Sequence, residues 1–207
     1  MRPTWTTSGA ADAGLPSSEM GRPHRAEPTN VPLHITARGV RRLPIFGDES
    51  DYASYAEMLG AATARFEWVV LGFALLPNHV HLVIRLERPT LSTGMHWLHS
   101  LHARRFNARH GFQGHAFDAR FFARAIESEA HLRRVFRYVA VNPVVAGLCR
   151  DPAEWRWSSF ASIAGERDDH AFVAVDRARL LYGNSQTTGA RGFADAVRAT
   201  IVDEMVV

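Results

Sequence analysis

The 207 residues suffice for one domain with a sizeable core plus terminal extensions, and no apolar run or signal-type h-region points to a membrane span or to secretion. A single cysteine, Cys149, excludes an internal disulfide framework and a Cys-rich zinc site and suits a reducing cytoplasm. The net charge is +3, every basic residue is arginine, and residues 85–156 alone carry twelve arginines against six acids, a basic stretch suited to a polyanion.

Residues 1–29 are rich in Gly, Ala, Pro, Ser and Thr without periodic apolar pattern, which predicts a disordered leader. His34–Arg38 reads as a short strand closed by Gly39. Asp48–Arg65 reads as a helix with Asp48 or Ser50 as N-cap and Tyr52, Tyr55, Met58 and Leu59 on one face. Trp68–Leu76 is a nearly unbroken apolar run, the mark of a strand buried on both sides. After the break at Pro77-Asn78, His79–Leu86 resumes as its neighbour.

A helix fits Ser92–Arg109, with Trp97, Leu98 and Leu101 inward. Phe117–Ile126 fits a strand with Arg120 and Arg124 on one face and Phe121 on the other. Ser128 caps a helix expected to end at Asn142, because Pro143 disfavours helical geometry at the residue before it. Short helices follow near Asp176–Tyr182 and Phe193–Val202. This order predicts an α+β fold, one antiparallel sheet with helices mainly on one face. A catalytic domain would span 30–165, with a helical extension over 166–207.

His79-Val80-His81 places two imidazoles side by side on one strand face, while Val80, Leu82 and Ile84 point to the core. Neutral imidazole is the commonest protein ligand for a divalent metal. Taken alone, such a pair is more often incidental than metal-binding. A second cluster, His96, His99 and His102, drifts around a helix axis and reads as a polar, phosphate-near face or an ordinary solvated one. On the helix after Ser128, Leu132, Val135, Phe136 and Val139 form an apolar stripe. His131, Arg134, Tyr138 and Asn142 fall on the adjoining flank. By itself this flank reads as a tyrosine with a buried ring and a solvated hydroxyl.

The segments in combination say more. Leu75-Leu76-Pro77-Asn78-His79-Val80-His81-Leu82-Val83 resembles the signature of HUH transposases. Arg137-Tyr138-Val139-Ala140-Val141-Asn142-Pro143-Val144-Val145-Ala146-Gly147-Leu148 resembles the tyrosine helix of their REP-associated branch. Thr36-Ala37-Arg38-Gly39 with Pro44-Ile45-Phe46, Phe106-Asn107-Ala108-Arg109-His110-Gly111 and Trp157-Ser158-Ser159 match in the same order, so that the resemblance covers roughly residues 30–165. Two departures stand out: Asp118-Ala119-Arg120 replaces the Gln or Asn then Gly that precede an arginine in many relatives, and Ala140 stands where a histidine often follows the tyrosine by two.

The resemblance implies a ferredoxin-like sheet and a transposase that cleaves and rejoins single-stranded or hairpin DNA. Tyr138 would be the nucleophile, forming a 5′-phosphotyrosine, and His79, His81 and Asn142 would hold Mg²⁺ or Mn²⁺. It also implies a cytoplasmic, nucleoid-associated protein. Arg104, Arg105, Arg109, Arg120, Arg124 and Arg134 are candidates for gripping phosphates. Trp155 and Trp157 are read as packing residues, with base stacking as the other role. Two rival readings stay open: a domesticated hairpin-DNA-binding regulator that does not cut, and a metal-dependent phosphodiesterase that uses water.

Overall fold

The computed structural model describes residues 27–118 and 120–205, so nearly all of the expected leader lies outside the described residues. Strand β1 (Pro32–Arg38) alternates cleanly: Leu33, Ile35 and Ala37 are buried, and His34, Thr36 and Arg38 face the other way. Helix α1 (Glu49–Phe66) starts at Asp48, whose carboxylate accepts from the Asp51 N–H at 3.2 Å. Its expected stripe of Tyr52, Tyr55, Met58 and Leu59 is buried as a unit. Strands β2 (Trp68–Leu76) and β3 (His79–Leu86) follow, then α2 (Leu91–His110), β4 (Phe122–Ala125) and α3 (Glu129–Val145).

The four strands lie in the order β2-β3-β1-β4 with every neighbouring pair antiparallel. With α1 and α2 as the two crossovers, this is the ferredoxin-like α+β arrangement. Both crossover helices cover the face built from Leu33, Ile35, Val80, Leu82 and Ile84. Gly94 of α2 permits that approach: a Cβ there would stand 2.2 Å from the Trp68 ring on β2. The opposite face is crossed by α3. At Gly72 of β2 a Cβ would come within 3.0 Å of the Phe136 ring, so α3 lies directly on this face.

Three expectations of local structure need correction. Strand β4 covers only Phe122–Ala125, with one isolated bridge from Phe117 to Gly39. Helix α3 does not stop at Asn142 but runs through Pro143 to Val145. So close to the helix end, proline removes a single amide bond, and Leu148 and Ala146 still close the terminus on Pro143 and Asn142 carbonyls. The final helix is also longer than expected. Helices α4 (Phe160–Ala164), α5 (Val175–Arg179) and α6 (Gln186–Met205) complete the chain.

This C-terminal part shares the domain's core. Phe193 of α6 is 1% exposed and meets Phe136, Phe160 and Tyr182, a contact whose removal by truncation to alanine would cost roughly 3–5 kcal/mol. The outer edge of β2 is covered. The Leu75 N–H donates to the Trp157 carbonyl at 2.8 Å, and the Ala174 N–H donates to the Val70 carbonyl at 2.8 Å. Trp157 stacks on Tyr52 with ring centroids 5.4 Å apart, and the Trp155 indole N–H donates to the Leu75 carbonyl, so both tryptophans pack the domain.

Candidate active site

Strand register puts the α3 face of the sheet under one row of polar side chains. Thr36 of β1 pairs with His81 on one side and with Phe122 on the other. Arg38 pairs with His79, and His34 pairs with Arg124. Directly paired residues share a face, so His34, Thr36, Arg38, His79, His81, Phe122 and Arg124 all project toward α3. His81 and His34 meet Tyr138 there. Its ring stands edge-on to His81 with centroids 5.3 Å apart and to His34 at 6.0 Å. A cleft of about 310 Å³ is lined by Thr36, Arg38, His79, His81, Arg120, Phe122 and Tyr138, among others.

The two histidines differ in burial. His81 is 3% exposed, deeper than a cleft-facing ligand was expected to lie, whereas His79 is half-buried. The His79 and His81 rings are 5.0 Å apart and nearly perpendicular. His79 Nδ1 is 2.7 Å from the Asn78 Oδ1, and the His79 side chain is also hydrogen-bonded with Asn142. Asn142 in turn donates to the Tyr138 carbonyl one turn before it at 3.1 Å. His81 Nδ1 lies 3.1 Å from His34 Nε2. With the proton of that bond on His81 Nδ1, the lone pair sits on His81 Nε2, a buried atom with no hydrogen-bond partner among the described residues.

All three rings are held neutral. Burial pushes His81 down to about 2, with His79, His34 and Arg38 adding repulsion. Burial, then His131, pushes His34 down to about 4. His79 is lowered by burial and then by Arg38, against a hydrogen bond to Asn142 that raises it. Neutral imidazoles with an unpaired buried lone pair form a donor set suited to a divalent cation and disfavour a bare apolar surrounding.

The six arginines proposed from sequence do not form one surface. Arg120 lines the cleft, and Arg124 is exposed on the same sheet face. Arg134 is exposed one helical turn before Tyr138. Arg104 and Arg105 are exposed on α2, which packs on the opposite face of the sheet. Arg109 is committed to Asp48, at 2.9 Å, and to Asp51, so its guanidinium is engaged by two carboxylates. The expected phosphate-near histidine face is likewise internal in part. His102 is 1% exposed and bonds the Ile45 carbonyl at 2.7 Å, and His99 stacks on Phe117 at 4.0 Å.

Asp48, Asp51 and His110 form a second group of donors, their ligand atoms all within 4.8 Å of one another. Burial raises Asp51, but the Gly47 N–H and His110 outweigh it and hold the carboxyl below the usual range. Arg109 already supplies the positive charge that a cation would bring, and the group sits on the α1–α2 side, away from Tyr138. Its role is therefore read as tying α1 to α2.

Sequence reasoning missed Thr36, Arg38 and Phe122, which line the cleft, and His34, which lies against His81 behind it. The alternation in β1 placed His34 and Thr36 on one face, but nothing local to the chain set β1 beside β3 in the register that brings His34 to His81, 47 residues away.

The fold and this cleft together define a ferredoxin-like α+β domain in which a His-x-His strand faces a tyrosine helix. The chain belongs to the IS200-like transposase family, whose model, Transposase IS200 like, matches residues 28–142, more than half of the sequence. It is similar in fold to a solved structure described as the REP-associated tyrosine transposase bound to a REP hairpin. That match has a TM-score of 0.58 and 18% identity, and covers 73% of this chain and 90% of the other. No curated protein matches the chain in sequence. Among the described residues no helix is long and apolar enough to cross a membrane.

Proposed function

We propose that this transposase cleaves and rejoins single-stranded DNA beside a hairpin, through a covalent bond to Tyr138. The observation that carries the reading is the convergence of Tyr138, half exposed at 51%, with His79 and His81 at one cleft, with Asn142 one turn after Tyr138 and hydrogen-bonded with His79. The similar structure's description names a REP hairpin as its ligand, and a palindromic hairpin is the substrate proposed here. The catalytic unit would span residues 30–165, with 166–207 as a helical extension.

The Tyr138 phenol oxygen attacks a phosphorus atom of the strand, its proton passing to solvent or a neighbouring base. A P–O bond to tyrosine forms, and the P–O3′ bond breaks. The products are a 5′-phosphotyrosine and a 3′-oxygen that takes up a proton. Because one ester bond replaces another, the 3′-hydroxyl can attack back and reseal the strand without an external energy source.

His79, His81 and Asn142 would hold Mg²⁺ or Mn²⁺, the orphaned His81 Nε2 being the observation that fits such a ligand. A divalent cation bound there supplies Lewis-acid polarisation of the scissile phosphate. His34 keeps His81 in the ligating tautomer, which is the usual task of a residue behind a metal-binding histidine. Arg38, Arg120 and Arg124 grip the phosphates on either side.

The test is incubation with 5′-labelled and 3′-labelled hairpin DNA bearing a single-stranded flank, with Mg²⁺ or Mn²⁺. An SDS-resistant adduct carrying the fragment 3′ of the cut is expected. Cleavage without an adduct would support a water-based phosphodiesterase instead, and tight hairpin binding with neither would support a binding regulator.

A further inference from the structure

Phe122 breaks the sorting rule that governs the rest of the sheet. The large apolar side chains of β1, β2 and β3 are buried, Val69 partly so, and the adjacent Phe121 is 7% exposed, yet Phe122 is 62% exposed. It sits on the face that carries the histidines and lines the same cleft as His79, His81 and Tyr138. An exposed phenyl ring on an edge strand is normally a liability for aggregation. Its surroundings are not apolar: Arg120 lines the cleft beside it, and Arg124, two residues along the strand, shares its face.

We infer that Phe122 is a stacking platform for one unpaired base of the strand that Tyr138 attacks, an inference that rests on the function proposed above. Phe122 and His81 both pair with Thr36, so they occupy one rung of the sheet two strand spacings apart, about 10 Å. A phosphate held over His81 therefore places the base of a neighbouring nucleotide over β4. Every base has a π face, so an aromatic platform between two arginines binds a single strand without needing its sequence. Duplex DNA cannot use it, because its bases are stacked on each other. Phe122 would thus help the protein distinguish an unpaired flank from a stem.

The experiment combines protein and DNA changes. Binding of labelled hairpin DNA is measured for wild type, Phe122→Ala and Phe122→Trp, on substrates with a single abasic position moved along the flank. Adduct formation by wild type is scored in parallel on the same DNA. Phe122→Ala is expected to weaken flank binding on the order of tenfold, and Phe122→Trp to restore it. At one abasic position wild type should weaken equally, while Phe122→Ala becomes indifferent to that position. Unchanged affinity of Phe122→Ala, or losses that add to those of every abasic position, would overturn the platform. So would a Phe122→Ala protein that changes from dimer to monomer in light scattering with unaltered binding per protomer, since the ring would then serve a contact between copies. If wild type forms no adduct at all, the failure lies with the parent reading and is seen separately.

Discussion

His34 Nε2 lies 3.1 Å from His81 Nδ1, and the two rings, stacked with centroids 5.3 Å apart, lie beneath the edge of Tyr138. With the shared proton on His81 Nδ1, this contact would leave His81 Nε2 as the ligating nitrogen. Replacing His34 by leucine should weaken Mn²⁺ affinity by roughly 10–100-fold, the usual effect of losing an orienting partner behind a metal ligand. His34→Gln, which can still accept the His81 N–H, should recover most of the loss. Isothermal titration with Mn²⁺ on the three proteins measures this, and equal affinities would remove His34 from the site.

Tyr138→Phe should bind hairpin DNA and unfold within about 0.5 kcal/mol of wild type, because the side chain is half exposed. It should form no SDS-resistant adduct. An adduct from the Phe variant would assign the nucleophile elsewhere.

Metal protection separates a liganding role from a core role for the histidine pair. In wild type, Mn²⁺ should raise the thermal midpoint by mass action. In His79→Ala and His81→Gln that rise should vanish together with cleavage. Since His81 is 3% exposed, its variant should also lose some stability without metal, whereas the half-buried His79 variant should not. A metal-induced rise that survives in both variants would place the cation elsewhere, for instance at Asp48, Asp51 and His110.

Acid should destabilise the fold through histidines kept neutral. Burial, then His102 and His96, pushes His99 down to about 3, while in the unfolded chain it titrates near 6.5. Above pH 6.5 neither state binds the proton, so the group is silent. Below it the unfolded chain takes up the proton and the folded one does not, so stability falls as pH falls toward the folded value. Urea midpoints measured from pH 7.5 to 5 should therefore decline. The His99→Leu protein should show a shallower decline, and its stability at pH 7.5 should hold because the buried His99 Nε2 has no hydrogen-bond partner among the described residues. An unchanged slope would show that His99 is not part of the effect.

The arginines should sort into two groups. Arg109→Ala removes the guanidinium from Asp51, which is 2% exposed, and should lower stability with little effect on DNA affinity. Arg120→Ala and Arg124→Ala should leave stability nearly unchanged. Each should weaken binding and flatten the log–log salt dependence by about 0.7. Chemical denaturation and gel-shift titrations at several salt concentrations distinguish the two. The reverse pattern would place the DNA along α2 instead.

Features set by neighbours in the chain were legible from residues alone. The i, i+2 spacing of His79 and His81, the i, i+4 spacing of Tyr138 and Asn142, the caps at Asp48 and Ser128 and the buried run Trp68–Leu76 all depend on local periodicity. Backbone geometry imposes that periodicity wherever the element forms. Strand register, by contrast, is decided by which hydrophobic faces pack together, and it alone brought His34 under His81 and set Phe122 and His81 on the two sides of Thr36. The same dependence explains the arginines: Arg109 and Arg120 look alike in sequence, but α1 packing against α2 set two carboxylates beside the first, and the sheet left the second facing the cleft. Even the reach of α3 past Pro143 was a tertiary outcome, because Val139, Ala140 and Val141 are buried against the domain and hold the last turn where local preference would have ended it.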